Sequence, residues 1–149
     1  MKSKEVYRLL NFILDELEGV EVDWRLDGSV NLLIQGVKVH PNDLDIAVDD
    51  KGLDVFRSIF NDFIIEDKFG EKFEGRNLVL SVKDKRVEIN SYGDSNLEKL
   101  NKVKFLEWRG LDLPILPLSE AKDFYQRIKR DEKVKIITDQ LKINKSKDE

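Results

Sequence analysis

The 149-residue chain has no cysteine and a single histidine, His40. Disulfides are therefore excluded, and so are zinc sites of the usual Cys/His kind, which need three or four such ligands. A metal here must be held by oxygen, which selects magnesium or manganese over zinc. There are three prolines and eight glycines, and no Pro/Gly-rich linker, low-complexity block or internal repeat divides the chain. It reads as one domain over residues 1–149, long enough to bury a core without staples. No apolar run approaches the roughly 20 residues of a membrane span. Met1 to Glu5 lead straight into an amphipathic segment without an apolar signal region, so a cytoplasmic protein is expected. Positive charge is not in excess: 26 Lys and Arg stand against 30 Asp and Glu, a net charge of -4. Proteins that hold nucleic acid by its phosphates show a basic balance or stripe. The one lysine-rich stretch, Lys142 to Lys147, reads as part of a frayed, solvated tail over residues 143–149. Nucleic acid is not an expected partner.

What is present is strong patterning. Val6, Leu9, Leu10, Ile13, Leu14 and Leu17 recur at helical spacing, with Gly19 as the expected C-cap. Val22, Trp24 and Leu26 alternate as in a half-buried strand. Asp27-Gly28-Ser29 breaks that strand, and residues 30–34 form a short helix stopped at Gly36. A loop through Lys38 and His40 leads into a strand from Asp43 to Val48. Leu53, Phe56, Ile59, Phe60 and Phe63 mark another helix. Strands follow at Phe63 to Phe69, Asn77 to Val82, Arg86 to Tyr92 and Val103 to Trp108, with turns at Lys83-Asp84-Lys85 and Arg109-Gly110. Ser119 is the expected N-cap of a helix reaching about Arg130, and a last helix covers residues 131–142. The order predicts an α/β (α+β) domain: a mixed β-sheet flanked by helices, closed by C-terminal helices.

Three features carry chemistry. Gly28 lets an anion approach the backbone, and Ser29 can cap the helix or bind a phosphate oxygen; a plain strand-to-helix turn is the alternative. Asp43 and Asp45 share one face of a strand, about 7 Å apart by strand rise. They can converge on one cation or two, or form part of a solvated face. Glu88 shares a strand face with Arg86 and Asn90, opposite Val87 and Ile89. It either joins the aspartates in an oxygen-only magnesium site or pairs across strands with Arg86 or Lys83. Lys38 is a candidate phosphate ligand on charge, and His40 a weaker one. Trp24 and Trp108 are expected in the core.

In this order the residues resemble the DNA polymerase beta-like nucleotidyltransferase superfamily. The resembling run is Trp24 to Leu33, a loop with His40-Pro41-Asn42, and Asp43-Leu44-Asp45-Ile46-Ala47-Val48. The chain is most similar to the small aminoglycoside/lincosamide nucleotidyltransferase-like group, a likeness extended loosely by Pro117 to Lys122, Tyr125 and Lys129-Arg130-Asp131. The resemblance implies a nucleotidyltransferase fold in which Gly28 and Ser29 hold triphosphate. Asp43 and Asp45 would bind two divalent cations, Mg2+ or Mn2+, and Glu88 would bind one and help activate an acceptor. The implied enzyme moves a nucleoside monophosphate, AMP from ATP, onto a hydroxyl of a small molecule with release of pyrophosphate. Two alternatives stand beside it. One is an inactive nucleotide- or metal-binding module acting through a protein partner, suggested by the short chain and by Glu88 where the family more often has Asp. The other is a protein- or RNA-modifying transferase of a toxin–antitoxin pair.

Overall fold

The structure, a computed structural model, describes residues 1–70, 75–91 and 103–148. Helix α1 (Ser3–Glu16) buries Val6, Leu9, Leu10 and Ile13, the stripe its spacing predicts. It caps at Leu17; Gly19, with φ 75°, reverses the chain two residues later rather than capping it. Strand β1 (Trp24–Asp27) runs into α2 (Gly28–Ile34), whose N-cap is Asp27. Then come β2 (Asp43–Val48) and α3 (Asp50–Ile59), the latter capped by Asp49 through a 2.7 Å bond from the Gly52 N–H. A 3-10 turn at Asn61–Phe63 precedes β3 (Ile64–Gly70), β4 (Gly75–Val82) and β5 (Lys85–Ser91). The expected last residue of that strand, Tyr92, lies outside the described residues. Next are β6 (Lys104–Trp108), β7 (Leu111–Ile115), α4 (Leu118–Arg127) and α5 (Asp131–Asp148).

The main sheet has the order β1-β2-β5-β4-β3, with β2 and β5 parallel and the other pairs antiparallel. It is the mixed sheet the sequence predicts. Leu26, Leu44, Ile46, Val48, Leu78, Leu80, Val87 and Ile89 fill one face and are fully buried under α1 and α3. The β1 pattern predicts a polar side left in solvent; instead Arg25 and Asp27 are buried. Trp24 and Trp108 pack against the core as expected.

Two turns have the left-handed backbone of tight hairpins: Lys83 and Asp84 at φ 50° and 63°, and Arg109 and Gly110 at 52° and 82°. The second joins β6 to β7 in a separate ribbon lying against β1. Strand β7 was hidden in the sequence by Pro114, which breaks strand patterns yet is tolerated in a two-stranded ribbon, where it faces Phe105.

A second apolar cluster, including Leu32, Val37, Leu116, Leu118, Tyr125 and Ile137, seats α4 and α5 on α2. Buried Asn31 locks this arrangement: its Nδ2 donates to the Leu116 carbonyl (2.9 Å), and its Oδ1 accepts from the Leu116 N–H (3.0 Å). Asn31→Leu strands the buried Leu116 N–H, while the Leu116 carbonyl keeps a 2.8 Å bond from Gln35 Nε2, and is expected to cost about 2 kcal/mol in chemical denaturation; an unchanged midpoint would show the contact to be dispensable. Ser119 is not the N-cap of α4. Pro117 holds that position with no side-chain cap, its carbonyl accepting from the Ala121 N–H at 2.9 Å. Helix α5 continues to Asp148, through the lysine-rich stretch expected to fray; Asp131 and Glu132 in its first turn and Lys145 and Lys147 in its last suit the helix dipole. No helix among the described residues is long and apolar enough to cross a membrane.

Candidate active site

Strand register brings the carboxylates together. In the parallel β2–β5 pair Asp45 stands opposite Glu88 and Asp43 opposite Arg86; in the antiparallel β1–β2 pair Asp27 stands opposite Asp45. Alternation puts all four acidic side chains on the face turned away from α1 and α3. Among the described residues, carboxylate oxygens of Asp43, Asp45 and Glu88 lie within 4.8 Å of one another. Glu88 is also paired with Arg86, whose Nε donates to Oε1 at 2.9 Å. The pairing of Glu88 with Arg86 is thus formed along one strand and not across two.

Burial first, then the charges of Asp43, Asp27 and Glu88 and a hydrogen bond shared with Glu88, push Asp45 up to about 8. Asp43 is raised by burial and by Glu88, against the pull of Arg86. Burial also raises Asp27, opposed by Arg25 and the Gly28 N–H, and it raises the Tyr125 phenol, reinforced by Asp27 and Asp45. A set of oxygen donors that repel one another in this way suits a hard divalent cation.

This sets a pH dependence. Asp45 in the folded chain keeps its proton well above the usual carboxylate range, so between about pH 4 and about pH 8 the folded state binds more protons than the unfolded one. Its stabilising contribution is therefore full below about pH 4 and lost by about pH 8. Thermal melts in chelator should fall from about pH 4 to about pH 8. A melt that rises with pH would contradict the burial of Asp45.

Gly28 has φ 63°, and a Cβ placed on it would lie 2.2 Å from Asp45 Oδ2. Glycine is thus demanded by both backbone and space. Its N–H donates to Asp27 Oδ1 at 3.1 Å, and Asp27 rather than Ser29 caps α2. The Ser29 hydroxyl instead accepts from Lys133 Nζ at 3.2 Å. These residues line a cleft of about 440 Å³ together with His40, Asn42, Asn90, Phe124, Tyr125, Ile128 and Arg130. Of the residues singled out in the sequence, Gly28, Ser29, His40, Asp43, Asp45 and Glu88 meet here. Lys38 is exposed in its loop and does not line the cleft.

The cations at the cleft are Arg130, just before α5, and Lys133, in its first turn. The sequence reading missed them as site residues, as it missed Asp27. Nothing local marks a lysine 104 positions from the serine it touches. For Asp27 a signal existed, since it precedes Gly28 at the strand end.

The chain has 26% identity and a TM-score of 0.76 to a Thermotoga maritima protein assigned as a nucleotidyltransferase, over 95% of this chain and 96% of that one. It shares its fold with the lincosamide antibiotic adenylyltransferase LnuA in its lincomycin-bound form (14% identity, TM-score 0.63, 93% and 97% covered). The same holds for ANT(2'')-Ia in complex with adenylyl-2''-tobramycin (10%, 0.62, 93% and 90%). No curated protein sequence matches the chain significantly. The family model for aminoglycoside-2''-adenylyltransferase matches residues 9–141, nearly the whole chain, and the protein therefore belongs to that family of nucleotidyltransferases.

Proposed function

We propose that the protein transfers AMP from ATP to a hydroxyl of a small molecule, with Asp43, Asp45 and Glu88 holding divalent cations, Mg2+ or Mn2+. The observation that carries this reading is the meeting of three carboxylates, the Gly28-Ser29 turn and two basic side chains at one cleft. The donor set fits the metal: all ligands are oxygen, and their crowding leaves negative charge that a cation would neutralise. When bound, the cations supply charge stabilisation to a phosphoryl centre that no side chain here can match.

The chain's own residues do the rest. Lys133 and Arg130 attract the triphosphate electrostatically, and Ser29 offers a hydroxyl beside Lys133. Glu88, held by Arg86, takes the proton of the acceptor hydroxyl. The acceptor oxygen forms its bond to the α-phosphorus as the bond to the pyrophosphate oxygen breaks, and the proton ends on Glu88. Asn90, fixed by a 2.7 Å bond from Asn77 Nδ2, and His40 offer hydrogen bonds to the incoming molecule. Phe124 and Ile128 give the cleft an apolar wall.

The test is incubation of the purified chain with ATP, Mg2+ and a panel of polyhydroxylated acceptors, starting with aminoglycosides and lincosamides. Pyrophosphate release and an acceptor heavier by one adenylyl group are expected, both lost in chelator. Saturable, metal-dependent ATP binding without turnover on any acceptor would favour the inactive-module reading. Lys133→Ala is expected to raise the KM for ATP about tenfold, the worth of one charge-assisted hydrogen bond, with a smaller change in kcat. An unchanged KM would remove Lys133 from the triphosphate site.

A further inference from the structure

We propose that Tyr125 is a further substrate-binding residue: its hydroxyl donates a hydrogen bond to a phosphate oxygen of the nucleoside triphosphate. This rests on the function proposed above. Tyr125 lies in α4, and with Phe124 and the C-cap Ile128 it turns the end of that helix to the cleft. Its ring packs in the apolar cluster that seats α4 and α5 on α2, so only 6% of the residue is exposed. A tyrosine buried this deeply normally has a protein partner for its hydroxyl. Here the hydroxyl makes no hydrogen bond to any described residue, yet it is not among the sealed polar atoms left unpartnered. The oxygen is therefore open, and the surface that the residue borders is the cleft. A phenol carries its proton at neutral pH and can donate a hydrogen bond to an anionic oxygen.

Its place in the cleft selects the ligand group. The Tyr125 carbonyl accepts from the Arg130 N–H at 2.9 Å, which ties the end of α4 to one of the two cations at the cleft. The charges of Asp27 and Asp45 also act on the phenol, with Arg130 acting against them. The residue thus stands near both ends of the site: the carboxylates that would hold the metal, and a cation that attracts phosphates. A triphosphate bound by both has to pass between them. An acceptor, by contrast, has to reach Glu88 and has no need of Arg130.

The experiment is calorimetric titration of wild type, Tyr125→Phe and Lys133→Ala, beside thermal melts in chelator. The probes are a non-hydrolysable ATP analogue and inorganic tripolyphosphate, each with Mg2+. Phenylalanine keeps the ring and removes one oxygen, so no contact within the fold is lost. Metal-free Tyr125→Phe should melt at the wild-type temperature or slightly above it. It should bind both probes about tenfold more weakly, the worth of one hydrogen bond to a charged group. A merely structural hydroxyl would give the opposite pair, a lower melting temperature with unchanged binding, and that result overturns the inference. Loss confined to the ATP analogue also overturns it, because the contact would then be to the nucleoside. Wild-type binding that is weakened in Lys133→Ala but unchanged in Tyr125→Phe would sink this inference alone. Absence of saturable, Mg2+-dependent binding of the ATP analogue by wild type would sink the function proposed above along with it.

Discussion

Asp45→Asn is expected to abolish nucleotidyl transfer while making the metal-free protein more stable. The two effects have one origin. Asp45 is the most crowded of the carboxylates: it faces Glu88 on one side and Asp27 on the other, with Asp43 two residues away on the same face. In the metal-free chain it stays largely protonated at neutral pH, whereas the unfolded chain releases that proton. Asparagine keeps the shape and removes the penalty, worth on the order of 1–3 kcal/mol near pH 7 after allowance for relaxation. On the function proposed above, the same exchange removes an anionic oxygen that the cation would need. Since loss of groups merely supporting a metal ligand costs 10–100-fold, loss of the ligand should cost about 100-fold or more in kcat/KM. Chemical denaturation in chelator and single-turnover assays measure the two halves. Retained transfer would sink the assignment of Asp45, and a destabilised variant would mean that its carboxylate is required by the fold.

Gly28→Ala should damage both stability and transfer. Holding a Cβ-bearing residue in the left-handed region costs about 1–2 kcal/mol. Here the added carbon would also overlap Asp45 Oδ2 at 2.2 Å, so either the turn or the carboxylate must move. The expected total is about 2–3 kcal/mol, with transfer reduced about 100-fold, the usual result of misplacing a reacting group by 1 Å. Gly19→Ala is the control: Gly19 has φ 75°, and a Cβ there meets nothing within 4 Å. It should show the backbone cost alone and normal transfer. Equal behaviour of the two variants would mean that the tight contact between Gly28 and Asp45 has no consequence for the site.

Some of the fold and of the candidate site was legible in the sequence because it depends on short-range periodicity. Side-chain alternation assigns Asp43 and Asp45 to one face and Leu44, Ile46 and Val48 to the other, whatever the strand's neighbours are. Helical spacing does the same for Val6, Leu9, Leu10 and Ile13. The helix caps were less legible. Ser119 has the right chemistry for an N-cap, yet the chain's exit from β7 gives the position to Pro117. Likewise, Pro114 concealed β7 because a local rule against proline holds least in a two-stranded ribbon.

By itself, then, the sequence determined most of the elements, β7 excepted, the faces of their strands, and, from the lack of cysteine and the single histidine, that a bound metal would need oxygen ligands. Only the tertiary structure decided that Glu88 stands beside Asp45, since a parallel β2–β5 pair is chosen by burial of both strands under α1 and α3, not by any nearby residue. Only the tertiary structure brought Lys133 to Ser29, through the apolar seat of α4 and α5 on α2 and the Asn31 lock on Leu116. It also turned Arg25 and Asp27, polar residues expected at a strand's wet face, into a buried ion pair. Periodicity fixes where a side chain points relative to its own backbone. Which partner it meets there depends on how the whole chain buries its apolar surface.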